Sequence, residues 1–161
     1  EMESEPWQQD PHLLVQSPSN PDRLWVQHHN GIFFSSDGSA SWQELHAKPS
    51  SFGFAVAVHP SEPDTAWFVP GIKDELRIPV DGKLVVTCTR DGGKTWQSLT
   101  KGLPQTHAYD LAYRHALTID KTGNRLAFGT TTGNVYVTED QGESWQTLSN
   151  SLPPVHAVRF I

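Results

Sequence analysis

The sequence predicts an all-β fold made of repeated four-stranded antiparallel sheets, and three observations carry that prediction. An eight-residue segment recurs three times, as Ser35-Ser-Asp37-Gly-Ser-Ala-Ser-Trp42, Thr89-Arg-Asp91-Gly-Gly-Lys-Thr-Trp96 and Thr138-Glu-Asp140-Gln-Gly-Glu-Ser-Trp145. Its aspartates lie 54 and 49 residues apart, a period at which self-similarity signals radial or stacked arrays. Six Trp beside a single Met, with Gly and Pro at twelve each, are the aromatic anchors and turn formers that many short strands need.

Around each segment the same order of strands can be read. An innermost strand comes first, at Leu13-Leu-Val15, Phe54-Ala-Val-Ala-Val58 and Tyr109-Asp-Leu-Ala-Tyr113. A second follows a Pro- or Asp-bearing turn, at Arg23-Leu-Trp-Val26, Thr65-Ala-Trp-Phe68 and Arg125-Leu-Ala-Phe128. The third, Gly31-Ile-Phe-Phe34, Leu84-Val-Val-Thr87 and Asn134-Val-Tyr-Val137, alternates apolar residues as a half-buried strand does and runs into the Asp segment. The fourth starts at each tryptophan with Trp-Gln-x-Leu, ending at Leu45, Leu99 and Leu148. Four antiparallel strands per repeat make the blade of a β-propeller. The expected layout is an N-terminal extension over 1–10 and one partial propeller domain over 11–161, about three blades or half a ring. The blades span 11–47, 52–101 and 105–150, and 153–161 supplies the innermost strand of a further or swapped blade.

The recurring segment reads as a structural staple. Asp37, Asp91 and Asp140 accept hydrogen bonds within their own tight turns, while Gly93 and Gly142 supply a left-handed residue at little steric cost. Ser39 stands where the other two copies have Gly, which predicts a strained first turn. Trp42, Trp96 and Trp145 are expected to drop into the core between blades, where truncation of such a ring costs about 3–5 kcal/mol.

Bulk composition excludes several classes of function. Eighteen acidic against twelve basic residues give a formal charge of −6, and no Lys/Arg stripe is present to neutralise phosphates, so nucleic acid is not an expected partner. No apolar run is long enough to cross a bilayer, so no membrane partner is expected either. The acidic start, with Glu1, Glu3 and Glu5, lacks the basic and then apolar character of a secretory leader, and a cytoplasmic location is the expectation. Cys88 lies next to an apolar run and reads as a small core residue. No cofactor is expected.

With those residues in hand, the chain over 11–161 resembles the BNR/Asp-box superfamily of WD40/YVTN/BNR-like propellers. That superfamily includes sialidases, xyloglucan-type glycoside hydrolases, sortilin-type receptor domains and photosystem assembly factors. The run Asn20-Pro-Asp-Arg-Leu-Trp25, leading to His29-Asn-Gly-Ile32 and the first Asp-box, is most similar to sialidase-like and glycosyl-hydrolase-like BNR repeat proteins. The resemblance implies that a sialidase-like enzyme would need clustered arginines for the substrate carboxylate, a Tyr nucleophile activated by Glu, and an Asp acid/base. Arg77-Ile-Pro79 resembles the arginine-bearing motif of that group. The catalytic candidates are Asp110, Tyr109 and Arg77, and no complete Tyr–Glu and multi-Arg set is present.

Alignment of the innermost strands places Phe54, Tyr109 and His156 in one column, with His12 a fourth, and Ala55, Asp110 and Ala157 in the next. Asp110 is thus a lone charge among alanines. Burying it unpaired is costly, and Arg114 or Arg159 is its expected partner. The candidate binding set is His28 and Asn30 on one loop and Lys73 and Arg77 on the matching loop of the second blade, loops expected to share one face, with Tyr109 and Asp110 on the innermost strand and Arg114 beside them. His28 and His29, adjacent on a strand, point to opposite sides, so the two are not expected to chelate a metal together.

Two functional classes follow. One is a non-catalytic propeller that presents a binding face to a carbohydrate or protein ligand. The other is an exo-sialidase-like glycoside hydrolase whose site is completed by a second copy or by further blades. Closed propellers need four to eight blades, so the exposed edges predict a homodimer closing a ring or a piece of a larger propeller. A strictly monomeric mass in solution would exclude the dimer.

Overall fold

Alternating apolar residues and frequent turns build three antiparallel sheets of four strands each in the computed structural model, which describes residues 10–161. Residues 1–9 of the expected N-terminal extension lie outside the described residues. Sheet one holds β1 (Pro11–Gln16), β2 (Leu24–His28), β3 (Gly31–Ser35) and β4 (Gln43–Leu45). Sheet two holds β5 (Gly53–Val58), β6 (Ala66–Pro70), β7 (Val86–Thr89) and β8 (Gln97–Leu99), with a short 3-10 turn at Val80–Gly82 between β6 and β7. Sheet three holds β9 (Leu117–Ile119), β10 (Leu126–Gly129), β11 (Val135–Thr138) and β12 (Gln146–Ser149). Each sheet keeps sequence order, and β5 packs against both β1 and β9, so the first strands of successive sheets lie side by side. This is the arrangement of consecutive propeller blades, with β1, β5 and β9 innermost.

The innermost strand of the third blade differs from the expectation. It is Leu117–Ile119, and residues 109–113 form irregular chain before it. Leu14, Val56 and Leu117 sit opposite Val26, Phe68 and Phe128, so these three are equivalent. Two residues earlier, the equivalent column is His12, Phe54 and His115, with His115 in place of Tyr109. His156 belongs beside it, because Ala157 makes a parallel bridge to His115. Segment 152–158 is tied to blade three through Leu152 N–H to Gly133 O, Val155 N–H to Thr130 O and Val158 N–H to His115 O.

The three Asp turns share one hydrogen-bond pattern. Asp37 Oδ1 accepts from Ser41 N–H (2.9 Å) and Ser35 Oγ (2.9 Å), while Ser41 Oγ donates to Oδ2 (2.6 Å). Asp91 repeats this with Thr95 and Thr89, and Asp140 with Ser144 and Thr138. Bonds that favour the charged form hold all three carboxyls below the usual range. Ser41 contributes most for Asp37 and Thr95 most for Asp91. For Asp140 the largest single effect is burial, which pushes upward, and the bonds from Ser144 and Thr138 together outweigh it. A further bond ties each turn to the turn between its blade's first two strands: Gly38 to Asp22 O, Gly92 to Asp64 O and Gln141 to Asn124 O. Ser39 adopts φ 76°, matching Gly93 at 88° and Gly142 at 94°, so the first turn carries left-handed strain in a residue with a Cβ.

Blade contacts also repeat. Trp25 Nε1 donates to Pro63 O of the next blade (3.0 Å), and Trp67 Nε1 donates to Gln141 O of the one after (2.9 Å). Leu45 and Leu99, each 3% exposed, pack onto the turn glycines Gly93 and Gly142 of the following blade. Their equivalent Leu148 meets no such turn and is 70% exposed. The recurring tryptophans show the opposite gradient, and here the expectation of three buried rings is corrected. Trp145 is 4% exposed, Trp96 is half-buried and Trp42 is 41% exposed. Each ring seals its blade against the preceding one: Trp96 packs on the core shared by blades one and two, and Trp145 on that shared by blades two and three. Trp42 has no preceding blade among the described residues. The core is therefore two inter-blade layers and a smaller inner-edge cluster of Phe52, Phe54 and Leu111, and the outer residues Trp42 and Leu148 of the first and last described blades are exposed. Cys88 lies in the second layer, and burial pushes its thiol up to about 12, which keeps it protonated and inert.

Candidate functional site

The inner edge of blades one to three gathers an aromatic and cationic cluster around Phe54. The His12 ring lies flat on Phe54, with centroids 4.2 Å apart and 16° between planes, while Phe52 and Tyr113 meet it edge-on at 5.4 and 5.1 Å. His156 packs on the other side of Tyr113 at 5.9 Å. Two guanidinium groups converge on the same ring, Arg77 at 5.1 Å and Arg114 at 5.7 Å from its centroid. Phe54 itself is buried, while Arg77 and Arg114 over it are exposed.

Each arginine is held in place. Arg77 Nε donates to Asp74 O (3.1 Å), its terminal nitrogen pairs with the Asp74 carboxylate, and a bond to Tyr113 is the main influence holding its pKa above the ordinary value. Arg114 Nε donates to His12 O (2.8 Å), linking the segment before β9 to β1. Planar guanidinium forks positioned this way suit carboxylate ligands, which they can bind bidentately.

The structure brings together only part of the sequence-predicted set. Arg77 and Arg114 meet at Phe54. Lys73 is exposed on the same loop as Arg77 and pairs with Glu75 at 3.7 Å. Tyr109 is exposed and Asn30 lies at the exposed β2–β3 turn. His28 is buried against Phe33, its ring held low in pKa by burial first. Asp110 is also buried, and its expected arginine partner is replaced by neutral donors. Its Oδ1 accepts from Thr130 Oγ1 (2.9 Å), Thr132 Oγ1 (2.6 Å) and Asn134 Nδ2 (2.7 Å). This carboxylate straps the β10–β11 turn, and burial first, with the Asp110 charge second, pushes the Tyr136 hydroxyl up to about 12.

Sequence reasoning passed over Tyr113, Phe52 and Asp74. The signal for Tyr113 was present in the turn positions: Leu14, Val56 and Leu117 each lie three residues before the first residue of the β1–β2, β5–β6 or β9–β10 turn. Aligning on those turns would have moved the third innermost strand to its true place. Asp10, His12 and His29 form a group able to hold a metal ion. A groove beside blade three is lined by Arg125, Val137 and Phe160 among others.

Fold and geometry together define the class: consecutive blades of a β-propeller with an arginine-bearing inner edge. No protein-family model matches the sequence, and no curated protein matches it. Solved structures do match. A GH74 xyloglucanase from Xanthomonas campestris superposes with a TM-score of 0.66 at 18% identity, covering 90% of this chain and 21% of that one. YCF48 from Cyanidioschyzon merolae gives 0.62 at 19% identity, covering 90% and 41%. A structure of YCF48 bound to D1 peptide gives 0.57 at 19% identity, covering 94% and 49%. The chain thus spans less than half the length of each of these structures. Among the described residues no helix is long and apolar enough to cross a membrane.

Proposed function

We propose that this chain is a binding module of BNR/Asp-box type that recognises a carboxylate-bearing peptide through Arg114, Arg77 and Tyr113. The observation that carries the reading is the convergence of two oriented guanidiniums on the Phe54 ring. Burying Phe54 fixes the platform, Asp74 and Tyr113 orient Arg77, and the His12 carbonyl orients Arg114. The peptide complex of the YCF48 propeller supports a peptide as the ligand class.

An exo-sialidase-like glycoside hydrolase is the second reading, and the likeness to GH74 propellers supports the glycoside-hydrolase class alone. Against it, Asp110 is enclosed by three donors and lacks the exposure that an acid/base needs to reach substrate.

Fluorescence polarisation with a fluorescein-labelled acidic peptide, run beside turnover of a fluorogenic sialoside, separates the two. Saturable peptide binding that falls at least about tenfold in Arg114→Ala and Arg77→Ala is expected, since a charge-assisted bidentate pair contributes on the order of 1.5–3 kcal/mol. Sialoside turnover abolished by Arg77→Ala would establish the hydrolase instead. Peptide affinity unchanged in both variants would remove the proposed site.

A further inference from the structure

At the start of β1 a carboxylate oxygen sits between two imidazole nitrogens, bonded to neither. Asp10 Oδ2 is 3.6 Å from His12 Nε2 and 3.8 Å from His29 Nδ1, and the three donor atoms lie within 4.8 Å of one another. Both separations exceed those of charge-assisted hydrogen bonds. An imidazolium–carboxylate pair alone would close them.

The backbone accounts for the convergence. Asp10 immediately precedes β1 and His12 lies at the irregularity between Pro11 and Leu13, and the local backbone brings the Asp10 carboxylate to within 3.6 Å of His12 Nε2. His29 N–H donates to Asp10 O at 2.9 Å, which sets His29 across the ladder from Asp10, and Asp10 N–H donates to His28 Nε2 at 3.2 Å. The carboxylate is therefore anchored through its own backbone at two points.

His12 is oriented as a ligand. Its side chain is 2% exposed, lies flat on Phe54, and its Nδ1 donates to Gly53 O at 2.6 Å. That bond fixes the tautomer and leaves the Nε2 lone pair aimed at Asp10, the outer-shell arrangement that metal-bound histidines use.

We infer that Asp10, His12 and His29 form a binding site for a divalent transition-metal ion of the zinc class. Tetrahedral donors about 2.0–2.2 Å from zinc stand roughly 3.4 Å from each other, so the observed spacings need shifts of only a few tenths of an ångström at the two closer pairs. Two imidazoles and one carboxylate select zinc, nickel or copper over calcium and magnesium. Three protein ligands leave a position for water or an external group. The positive charge of Arg114, bonded to the His12 carbonyl, opposes a cation, and the Asp10 carboxylate offsets it.

The test uses the full, untagged chain after chelator treatment, titrated with zinc alone by calorimetry and with cobalt(II) by visible absorption. One equivalent of zinc should bind saturably, with cobalt giving the absorption of an imidazole-bound site. Asp10→Asn and His29→Ala alter side chains that are 56% and 37% exposed, and should leave the far-ultraviolet spectrum unchanged while weakening zinc binding at least about tenfold. Zinc bound by the native chain no more tightly than by the Asp10→Asn/His29→Ala double variant would overturn the assignment, because the remaining histidines would then account for the binding.

Discussion

Trp145→Ala is expected to destabilise the chain by ~3–5 kcal/mol, and Trp42→Ala by less than about 1 kcal/mol, although both residues occupy the same position in the repeat. Trp145 is enclosed by Phe128 and by the side chains of blade two, with its ring 5.0 Å from that of Phe128. Removing it opens a cavity the size of an indole between two blades that cannot collapse without separating. Trp42 faces solvent on the open side of blade one, and its truncation removes little packing. Trp145→Phe should cost much less than Trp145→Ala, because the indole N–H has no hydrogen-bond partner among the described residues to lose. Denaturant midpoints of the three variants, measured at constant slope, check the ordering. Equal losses at positions 42 and 145 would mean that the two tryptophans do not seal successive blade interfaces.

The second large effect is expected at a glycine where blades two and three touch. Gly102 has φ 88°, and a Cβ placed there would lie 2.0 Å from the Trp145 carbonyl oxygen. The same turn accepts the Trp145 N–H at Lys101 O, at 2.9 Å. Gly102→Ala therefore combines left-handed strain of roughly 1–2 kcal/mol with a backbone clash that can be relieved only by moving the blade boundary. A total loss above about 3 kcal/mol is expected. Gly82→Ala is the control: its φ is 63°, and the nearest atom to an added Cβ is 3.5 Å away. It should show the conformational cost alone, about 1–2 kcal/mol. Thermal and denaturant unfolding of the pair reads the difference, and equal stability of the two variants would contradict the tight approach at Gly102.

Much of the fold was legible because the repeat is local. The Asp turn needs an acceptor, a left-handed residue and flanking hydroxyls within eight positions, and all three copies contain these in sequence. Even the weak first copy was legible, since Ser39 stands where glycine belongs and adopts the left-handed conformation its neighbours predict. The third innermost strand was misplaced for a physical reason. Tyr109, Leu111 and Tyr113 alternate as a strand would, yet Asp110 and Leu111 are committed to strapping the Thr130–Asn134 turn. The true strand has Arg114 and His115 at its entrance and gives a weaker apolar signal.

Tryptophan burial was not legible, because it depends on which blade precedes each ring. The inner-edge site was legible in its arginines and not in its geometry. Arg77 stood out as a cation in a loop and Arg114 as the expected partner of Asp110, while the role of Phe54, placed in the innermost column, as their shared platform did not. The Asp10–His12–His29 group depends on pairing between the end of β2 and the residue before β1, which no periodicity reveals. Asp110 stood out as a charge among alanines, but its partners, Thr130, Thr132 and Asn134, are neutral and distant in sequence.

The central claim is that the three sheets are radially successive blades, each locked to the next by an indole. Nuclear Overhauser contacts from the indole N–H protons test it most directly. The Trp67 Nε1 proton should show contacts to Gln141 and Gly142, and that of Trp25 to Pro63 and Asp64, since each donates across a blade boundary. Cross-peaks confined to residues of the tryptophan's own sheet would contradict the architecture.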